Sequence, residues 1–146
     1  MDQTDQELLR LLSADARMSL KSLADEVGMS SPAVAERLQK LQENDVIRAF
    51  TLDLNAEAMG YPMVAIVRIR PLPGKLLAVE RLLQEIPEVA ECDRVTGDDC
   101  FVARVYLRSI QHLDEVLNRI IDKAQTSTSI VKSQVVKRRP APFVME

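Results

Sequence analysis

Apolar residues recur at helical spacing through the first 44 residues and predict three short helices. The first opens on the capping-box pattern Thr4-x-x-Glu7. Its apolar face comprises Leu8, Leu9, Leu11 and Leu12. The second carries Leu20, Leu23, Ala24 and Val27 on one face, and the third carries Val34, Leu38 and Leu41.

The boundary between the second and third helices has the spacing of a helix-turn-helix. Ala24 is small where two helices must cross closely, and Gly28 suits a turn that needs positive φ. Ser30 or Ser31 can cap the third helix, and Pro32 suits its first turn. Such a unit places its second helix in the major groove of DNA. An ordinary αα-hairpin in a helical bundle is the alternative.

The third helix, predicted over Ser31–Asn44, turns a polar face away from the core. Gln39 and Lys40 face outward there, whereas Arg37 lies at the edge. Arg37 can contact a phosphate, or it can form an ion pair with Glu7 or another acid of the first helix. The candidate DNA-binding residues are Ser30, Ser31, Pro32, Glu36, Arg37, Gln39 and Lys40.

The rest of the chain alternates between strand and helix patterns. A strand over Val46–Leu54 would form a small wing or arm, and Asn55–Tyr61, which contains Gly60, is expected to be a linker. The remaining order is βαββαβ, a ferredoxin-like unit with two helices on one face of an antiparallel sheet. Its expected elements are strands 63–70, 89–95, 100–107 and 129–136 and helices 76–86 and 110–124. The predicted fold is α+β, with a winged helix-turn-helix over residues 1–50, a linker strand over 51–60 and the ferredoxin-like domain over 61–146.

The sheet face without helices is expected to carry apolar side chains. Val64 and Ile66 alternate with the helix-facing residues of the first strand of this unit, as Val102 and Tyr106 do in the third. A sheet face open to water should be polar, and this one is mixed. We therefore expect a second copy of the chain to cover it, which also suits DNA with paired half-sites.

The composition of the chain excludes several classes of protein. The 146 residues are 47% hydrophobic, lack a transmembrane-length apolar run and begin without a signal peptide, so a cytoplasmic protein with reduced cysteines is expected. Cys92 and Cys100 match no zinc spacing, and His112 is the only histidine, so neither a metal nor a cofactor is expected. The net charge is −3 overall, which is low for a DNA-binding protein.

Several motifs resemble the Lrp/AsnC, or feast/famine, family of bacterial and archaeal transcription regulators. They are Asp15-Ala16-Arg17, Leu23-Ala24-x-x-Val27-Gly28-Met29-Ser30, Val34-x-x-Arg37-Leu38-x-x-Leu41, Val46-Ile47-Arg48-Ala49-Phe50, Val95-Thr96-Gly97-Asp98 and Thr126-Ser127-Thr128-Ser129. The resemblance implies a DNA-binding N-terminal domain, and dimers formed by the ferredoxin-like domain that often assemble into octamers. It also implies a small effector, usually an amino acid, bound between dimers.

Carried over residue by residue, the implied effector site comprises Gly97, Asp98, Asp99, Cys100, Thr126, Thr128 and Ser129. Many members have an aromatic residue and then an acid after Gly-Asp, whereas this chain has Asp99 and Cys100. We therefore expect a polar or cationic ligand. Gly97-Asp98 is otherwise a hairpin turn, the Thr126–Ser129 run a polar entry to an edge strand, and Cys100 a small buried hydrophobe.

The leading hypothesis is a sequence-specific DNA-binding regulator without enzymatic activity. Siroheme decarboxylases resemble the same two-domain layout and use histidine, and here only His112 could serve, although a surface histidine on its helix is expected. The third hypothesis is an architectural protein that compacts DNA with little sequence preference.

Overall fold

Three helices form the N-terminal part of the computed structural model, which describes residues 1–144. They are α1 (Gln3–Ala14), α2 (Leu20–Val27) and α3 (Ser31–Glu43). The predicted capping box at Thr4 and Glu7 is wrong, because Asp2 caps α1 and forms the box with Asp5. The Asp5 N–H donates to Asp2 Oδ1 (2.9 Å) and the Asp2 N–H donates to Asp5 Oδ2 (3.0 Å). The helix starts at Gln3, so Thr4 already lies inside its first turn.

The turn between α2 and α3 follows the predicted chemistry. Gly28 ends α2 in the left-handed conformation, at φ 69° and ψ 36°, where a side chain would be strained. Ser30, one of the two predicted caps, accepts a hydrogen bond from the Ala33 N–H (3.3 Å). Pro32 occupies the first turn of α3. The N–H groups of this turn have no acceptor within the helix, so the N–H that proline lacks costs no hydrogen bond. The helix-turn-helix is thus confirmed in its local geometry.

A small apolar core holds the three helices together. Five buried side chains form it: Leu8, Leu12, Leu23, Ala24 and Val34. Leu20 is 42% exposed, so the buried face of α2 is narrower than its sequence stripe.

The predicted strand over Val46–Leu54 is not found among the described residues, and no wing forms. Phe50, Leu52 and Leu54 are exposed. A strand requires a hydrogen-bonded neighbour, and the described part of the chain offers this segment none. Apolar alternation alone therefore did not make a strand.

The second half of the chain forms a four-stranded antiparallel sheet with two helices. Its elements are β1 (Met63–Pro71), α4 (Leu76–Glu85), β2 (Val89–Arg94), β3 (Phe101–Leu107), α5 (Ile110–Asn118) and β4 (Ala124–Ile130). The strand order is β2-β3-β1-β4, with β1 paired to both β3 and β4. The predicted ferredoxin-like order is confirmed. No helix among residues 1–144 is long and apolar enough to cross a membrane.

The last strand and the last helix differ from their predicted positions. Strand β4 spans Ala124–Ile130 instead of 129–136, because α5 already ends at Asn118. The Thr126–Ser129 run therefore lies within β4 rather than leading into it. Ile110 and Ile121 fall within the predicted helix 110–124, but they are 54% and 65% exposed.

The two faces of the sheet differ in what covers them. Fourteen buried side chains fill the space between one face and the helices, among them Val67, Ile69, Phe101 and Leu107. On the opposite face, Val64, Ile66, Val102 and Tyr106 are half-buried, in alternation with those residues. We call this second surface the open sheet face.

The chain divides into two compact units. The helix-turn-helix unit contains residues 1–53 and the tail that begins at Lys137. The sheet unit contains Leu54–Val136. The domain boundaries at residues 50/51 and 60/61 stay a prediction, and the grouping of the tail with the first unit was not expected from the sequence.

Candidate nucleic-acid interface and ligand site

The outward face of α3 carries exposed polar side chains in two intrahelical pairs. Lys40 Nζ donates to Glu36 Oε1 (2.8 Å), and Gln39 Nε2 donates to Glu43 Oε1 (2.7 Å). The hydrogen bond from Lys40 lowers the pKa of Glu36, and the same bond raises the pKa of Lys40. Exposed pairs of this kind contribute little stability, so both can exchange for contacts with a partner.

The first turn of α3 presents the remaining predicted residues. Ser30 and Pro32 are exposed and Ser31 is half-buried. The Ser30 hydroxyl oxygen is engaged in capping. A helix N-terminus carries partial positive charge, which favours a phosphate close to this turn.

Arg37 is held by two acids at the start of the first helix, its N-cap Asp2 and Asp5. Its Nη1 donates to Asp2 Oδ2 (2.7 Å) and to Asp5 Oδ1 (2.9 Å). The pKa of Asp2 lies below its ordinary value, first because of the Asp5 backbone N–H and then because of Arg37. Of the two roles considered for Arg37, the structure contains the ion pair, although with these acids and not with Glu7. Arg37 therefore fixes α3 against the start of α1.

The predicted ligand residues Gly97, Asp98, Asp99 and Cys100 lie in the loop between β2 and β3. Val95 N–H still donates to the Cys100 carbonyl (2.8 Å), and Gly97 has a φ of 105°. Arg70, which the sequence interpretation missed, reaches this loop from the end of β1. Its Nε donates to the Asp98 carbonyl (3.1 Å), and its Nη2 lies 3.8 Å from both the Asp98 and Asp99 carboxylates. Because Arg70 lies near the end of β1, one of the two inner strands, beside the β2–β3 loop, the predicted topology could have identified it.

The predicted hydroxyl residues of β4 are divided between the two sheet faces. Thr126 pairs with Ile69 and Thr128 with Val67, so both threonines lie on the helix-covered side. Ser129 pairs with Ile66 and lies on the open sheet face. Thr126 is level with the start of β3, at the same end of the sheet as the hairpin loop. The structure thus brings Thr126 to the loop end of the sheet but places Ser129 deeper and on the other side.

His112 is buried, and the expectation of a surface histidine is wrong. Its side chain is 5% exposed, and Nδ1 accepts a hydrogen bond from the Arg108 N–H (3.0 Å). Nε2 lies 3.0 Å from Glu88 Oε1, and in the tautomer set by Arg108 it donates to that oxygen. Burial would raise the pKa of Glu88, but a backbone hydrogen bond and His112 outweigh it, and the pKa lies below its usual value. Both imidazole nitrogens are engaged within the protein.

The two cysteines are free thiols. Cys92 pairs with Ala103 in the sheet and not with a residue of the loop that contains Cys100. Burial raises the pKa of the Cys92 thiol. Cys100 is half-buried and packs against the core of the sheet unit, which agrees with a small apolar role.

Comparison with known proteins gives matches across both halves. Residues 1–42 match the AsnC-type helix-turn-helix domain, and residues 64–141 match the Lrp/AsnC ligand binding domain. The chain is 34% identical to the HTH-type transcriptional regulator LrpA of Mycobacterium tuberculosis over 88% of this chain and 86% of that protein.

Solved structures agree with this result. The structure of Bacillus subtilis LrpC superposes with a TM-score of 0.89 at 25% identity, covering 94% of this chain and 99% of that one. A feast or famine regulatory protein from M. tuberculosis complexed with L-methionine has a TM-score of 0.89 at 31% identity, covering 96% and 97%.

Proposed function

Since this chain belongs to the Lrp/AsnC family of transcriptional regulators, we propose that it recognises specific DNA sequences through the outward face of α3. One observation carries the proposal. The chain builds a capped helix-turn-helix whose second helix keeps Gln39 and Lys40 exposed, while Arg37 is fixed against α1. In such units the second helix lies in the major groove, where its outward side chains reach base edges and phosphates.

The polar residues of α3 divide into two roles under this proposal. Gln39 can donate to and accept from a base edge, and a good bidentate contact gives about 1–3 kcal/mol of discrimination. Lys40 and the first turn, with Ser30, Ser31 and Pro32, are suited to phosphates. Glu36 holds Lys40 in the free protein and can accept from a cytosine amino group in the complex.

The test is a selection of bound fragments from a pool of random-sequence duplexes with the wild-type protein. We expect enrichment of a motif with two related half-sites. Binding with no enriched motif would contradict sequence-specific recognition and favour the architectural alternative. A DNA-binding regulator acts where the chromosomal DNA is, so this proposal includes the cytoplasmic location expected from the sequence.

We further propose that the open sheet face forms a homodimer, which can assemble into a higher oligomer such as an octamer. The support is its apolar content, Val64, Ile66, Val102 and Tyr106, half-buried in the single chain. Ile66→Asp should shift the protein toward monomer in sedimentation velocity. Ile121→Asp, at a side chain that is 65% exposed and lies between α5 and β4, outside the sheet, is the matched control. A wild-type monomer at micromolar concentration would contradict the proposal.

We also propose an amino-acid effector at the hairpin loop, where Arg70 meets Asp98 and Asp99. Exposed backbone groups of a turn can hold a carboxylate and an ammonium group, and the two acids favour a polar or cationic ligand. Arg70 offsets part of that negative charge and can bind the ligand carboxylate. A thermal-shift screen of the standard amino acids, L-methionine included, should give a hit that Asp98→Ala removes. A hit insensitive to Asp98→Ala would place the ligand elsewhere.

An enzymatic role of the siroheme-decarboxylase type is not favoured, and we propose that the chain is not an enzyme. The only histidine has both nitrogens bonded within the fold, to the Arg108 N–H and to Glu88. Addition of siroheme should therefore produce no Soret-type absorbance from a protein-bound form.

A further inference from the structure

The tail that follows the sheet unit belongs structurally to the helix-turn-helix unit. Its first residues are Lys137, Arg138 and Arg139, here named the basic tail segment, and all three are exposed. None of them has a carboxylate partner among residues 1–144. The unit that carries α3 thus has three adjacent positive charges with no carboxylate partner in the described part of the chain, and these charges are available for a negatively charged partner.

The helix-turn-helix unit is short of available positive charge. Residues 1–53 contain ten acidic and six basic side chains, a net charge of −4. Four of the six bases are already within 4.0 Å of a carboxylate of the same unit: Arg10, Arg37, Lys40 and Arg48. Arg17 and Lys21 have no such partner in the described chain. Of five uncompensated bases on this unit, three therefore come from the tail.

The tail is also attached to the unit at a defined place. The Arg10 guanidinium lies 5.1 Å from the centre of the Phe143 ring, in a cation–π contact on α1. Pro140 and Pro142 restrict the backbone between this anchor and the bases. Only three residues, two of them prolines with restricted backbones, thus separate the basic tail segment from Phe143, which contacts Arg10 of α1.

We propose that the basic tail segment is a second DNA contact, which binds backbone phosphates beside the site of α3 without sequence preference. The proposal rests on the proposed DNA-binding function. Neutralising phosphates supplies most of the affinity of non-specific binding, and an acidic helix-turn-helix unit lacks the cations for it. The tail supplies them from the far end of the chain, after the sheet unit.

The test measures binding of the full chain to a fluorescein-labelled mixed-sequence duplex between about 50 and 200 mM KCl. The variant replaces Lys137, Arg138 and Arg139 by Gln. The control replaces Lys75, Arg81 and Lys132 by Gln, which removes the same charge from exposed sites of the sheet unit. Phe143→Ala keeps every charge and removes only the anchor.

The tail variant should bind roughly 10-fold or more weakly near 0.1 M salt, with a salt slope shallower by up to about 2.7. The control should match the wild type, and Phe143→Ala should weaken binding to a smaller extent. A wild-type slope in the tail variant, or an equal loss in the control, would overturn the proposal. If the wild type itself fails to bind any duplex, the proposed function fails instead, so the two failures are distinguishable.

Discussion

The helix-turn-helix unit and the sheet unit are stabilised in different ways. Fourteen buried side chains form the core of the sheet unit, against five in the helix-turn-helix unit. The smaller unit adds polar links on its surface: the Asp2–Asp5 capping box, the Ser30 cap and the Arg37 ion pairs. The unit proposed to bind DNA therefore depends more on exposed polar contacts, which salt and pH can alter.

Each unit also has a surface that no other element of the described chain covers, and these two surfaces differ in chemistry. The outward face of α3 is polar and charged, whereas the open sheet face is rich in half-buried apolar side chains. Polar side chains suit base edges and phosphates, and apolar side chains suit a protein partner. The two surfaces therefore differ in the way that the proposed DNA contact and the proposed homodimer require.

The largest expected effect separates the two cores. Leu8 and Leu107 are each 0% exposed, and truncation of a buried leucine to alanine costs about 2–5 kcal/mol. Both tyrosines, Tyr61 and Tyr106, lie in the sheet unit and the chain has no tryptophan, so tyrosine fluorescence follows that unit alone.

In urea unfolding, Leu8→Ala should lower the midpoint of the far-UV circular dichroism change and leave the tyrosine transition in place. Leu107→Ala should shift the tyrosine transition. Coincident shifts of both probes in Leu8→Ala would show that the two units unfold as one, which would contradict their independent stabilisation.

A smaller effect tests the hydrogen bonds of His112, the buried polar side chain of the sheet unit. His112→Leu removes the partners of the Arg108 N–H and of Glu88 Oε1. Leaving buried polar groups unpaired costs about 1–3 kcal/mol each. The tyrosine transition should move to lower urea, while Gln111→Leu, on the exposed side of α5, should leave it unchanged. No difference between these variants would mean that these hydrogen bonds contribute nothing.

The pH dependence of the pair formed by Glu88 and His112 has a definite sign. The pKa of Glu88 is lower in the folded protein, so folding favours its carboxylate. This stabilisation is fully present above the ordinary pKa of 4.5 and is lost as the pH falls through the lower folded value. Glu88→Gln should be less stable by about 1 kcal/mol at neutral pH, since hydrogen bonds to charged groups are stronger. The difference should shrink below pH 4.5; a constant difference would contradict the role of the charge.

The smallest stability effect is expected at Arg37, whose ion pairs are partly exposed. Arg37→Met should nevertheless reduce discrimination between specific and mixed-sequence DNA, because α3 loses its attachment to α1. Asp2→Asn keeps a good N-cap and breaks one of the two ion pairs without removing a cation, so it should have a smaller effect in the same direction. A salt slope reduced by about 0.9 in Arg37→Met alone would instead indicate a direct phosphate contact.

Local patterns in the sequence predicted the helix-turn-helix, the order of the sheet elements and the apolar content of the open sheet face. What they missed depends on contacts between distant residues. His112 is buried because Glu88, 24 residues earlier, reaches its ring. The tail joins the first unit through Phe143 and Arg10. Strand β4 is a mostly polar segment, so its pairing with β1 could not be predicted from an alternation of apolar residues.

Operator binding by the variants Gln39→Ala and Lys40→Ala tests most directly whether the outward face of α3 recognises DNA. The measurement is fluorescence anisotropy, with the motif enriched by selection and a scrambled duplex. Gln39→Ala should reduce the difference in binding free energy between the two duplexes by about 1–3 kcal/mol. Gln42→Ala, in the last turn, is the matched control. Lys40→Ala should weaken both duplexes alike and reduce the salt slope by about 0.9. Wild-type affinity and discrimination in both variants would contradict the account.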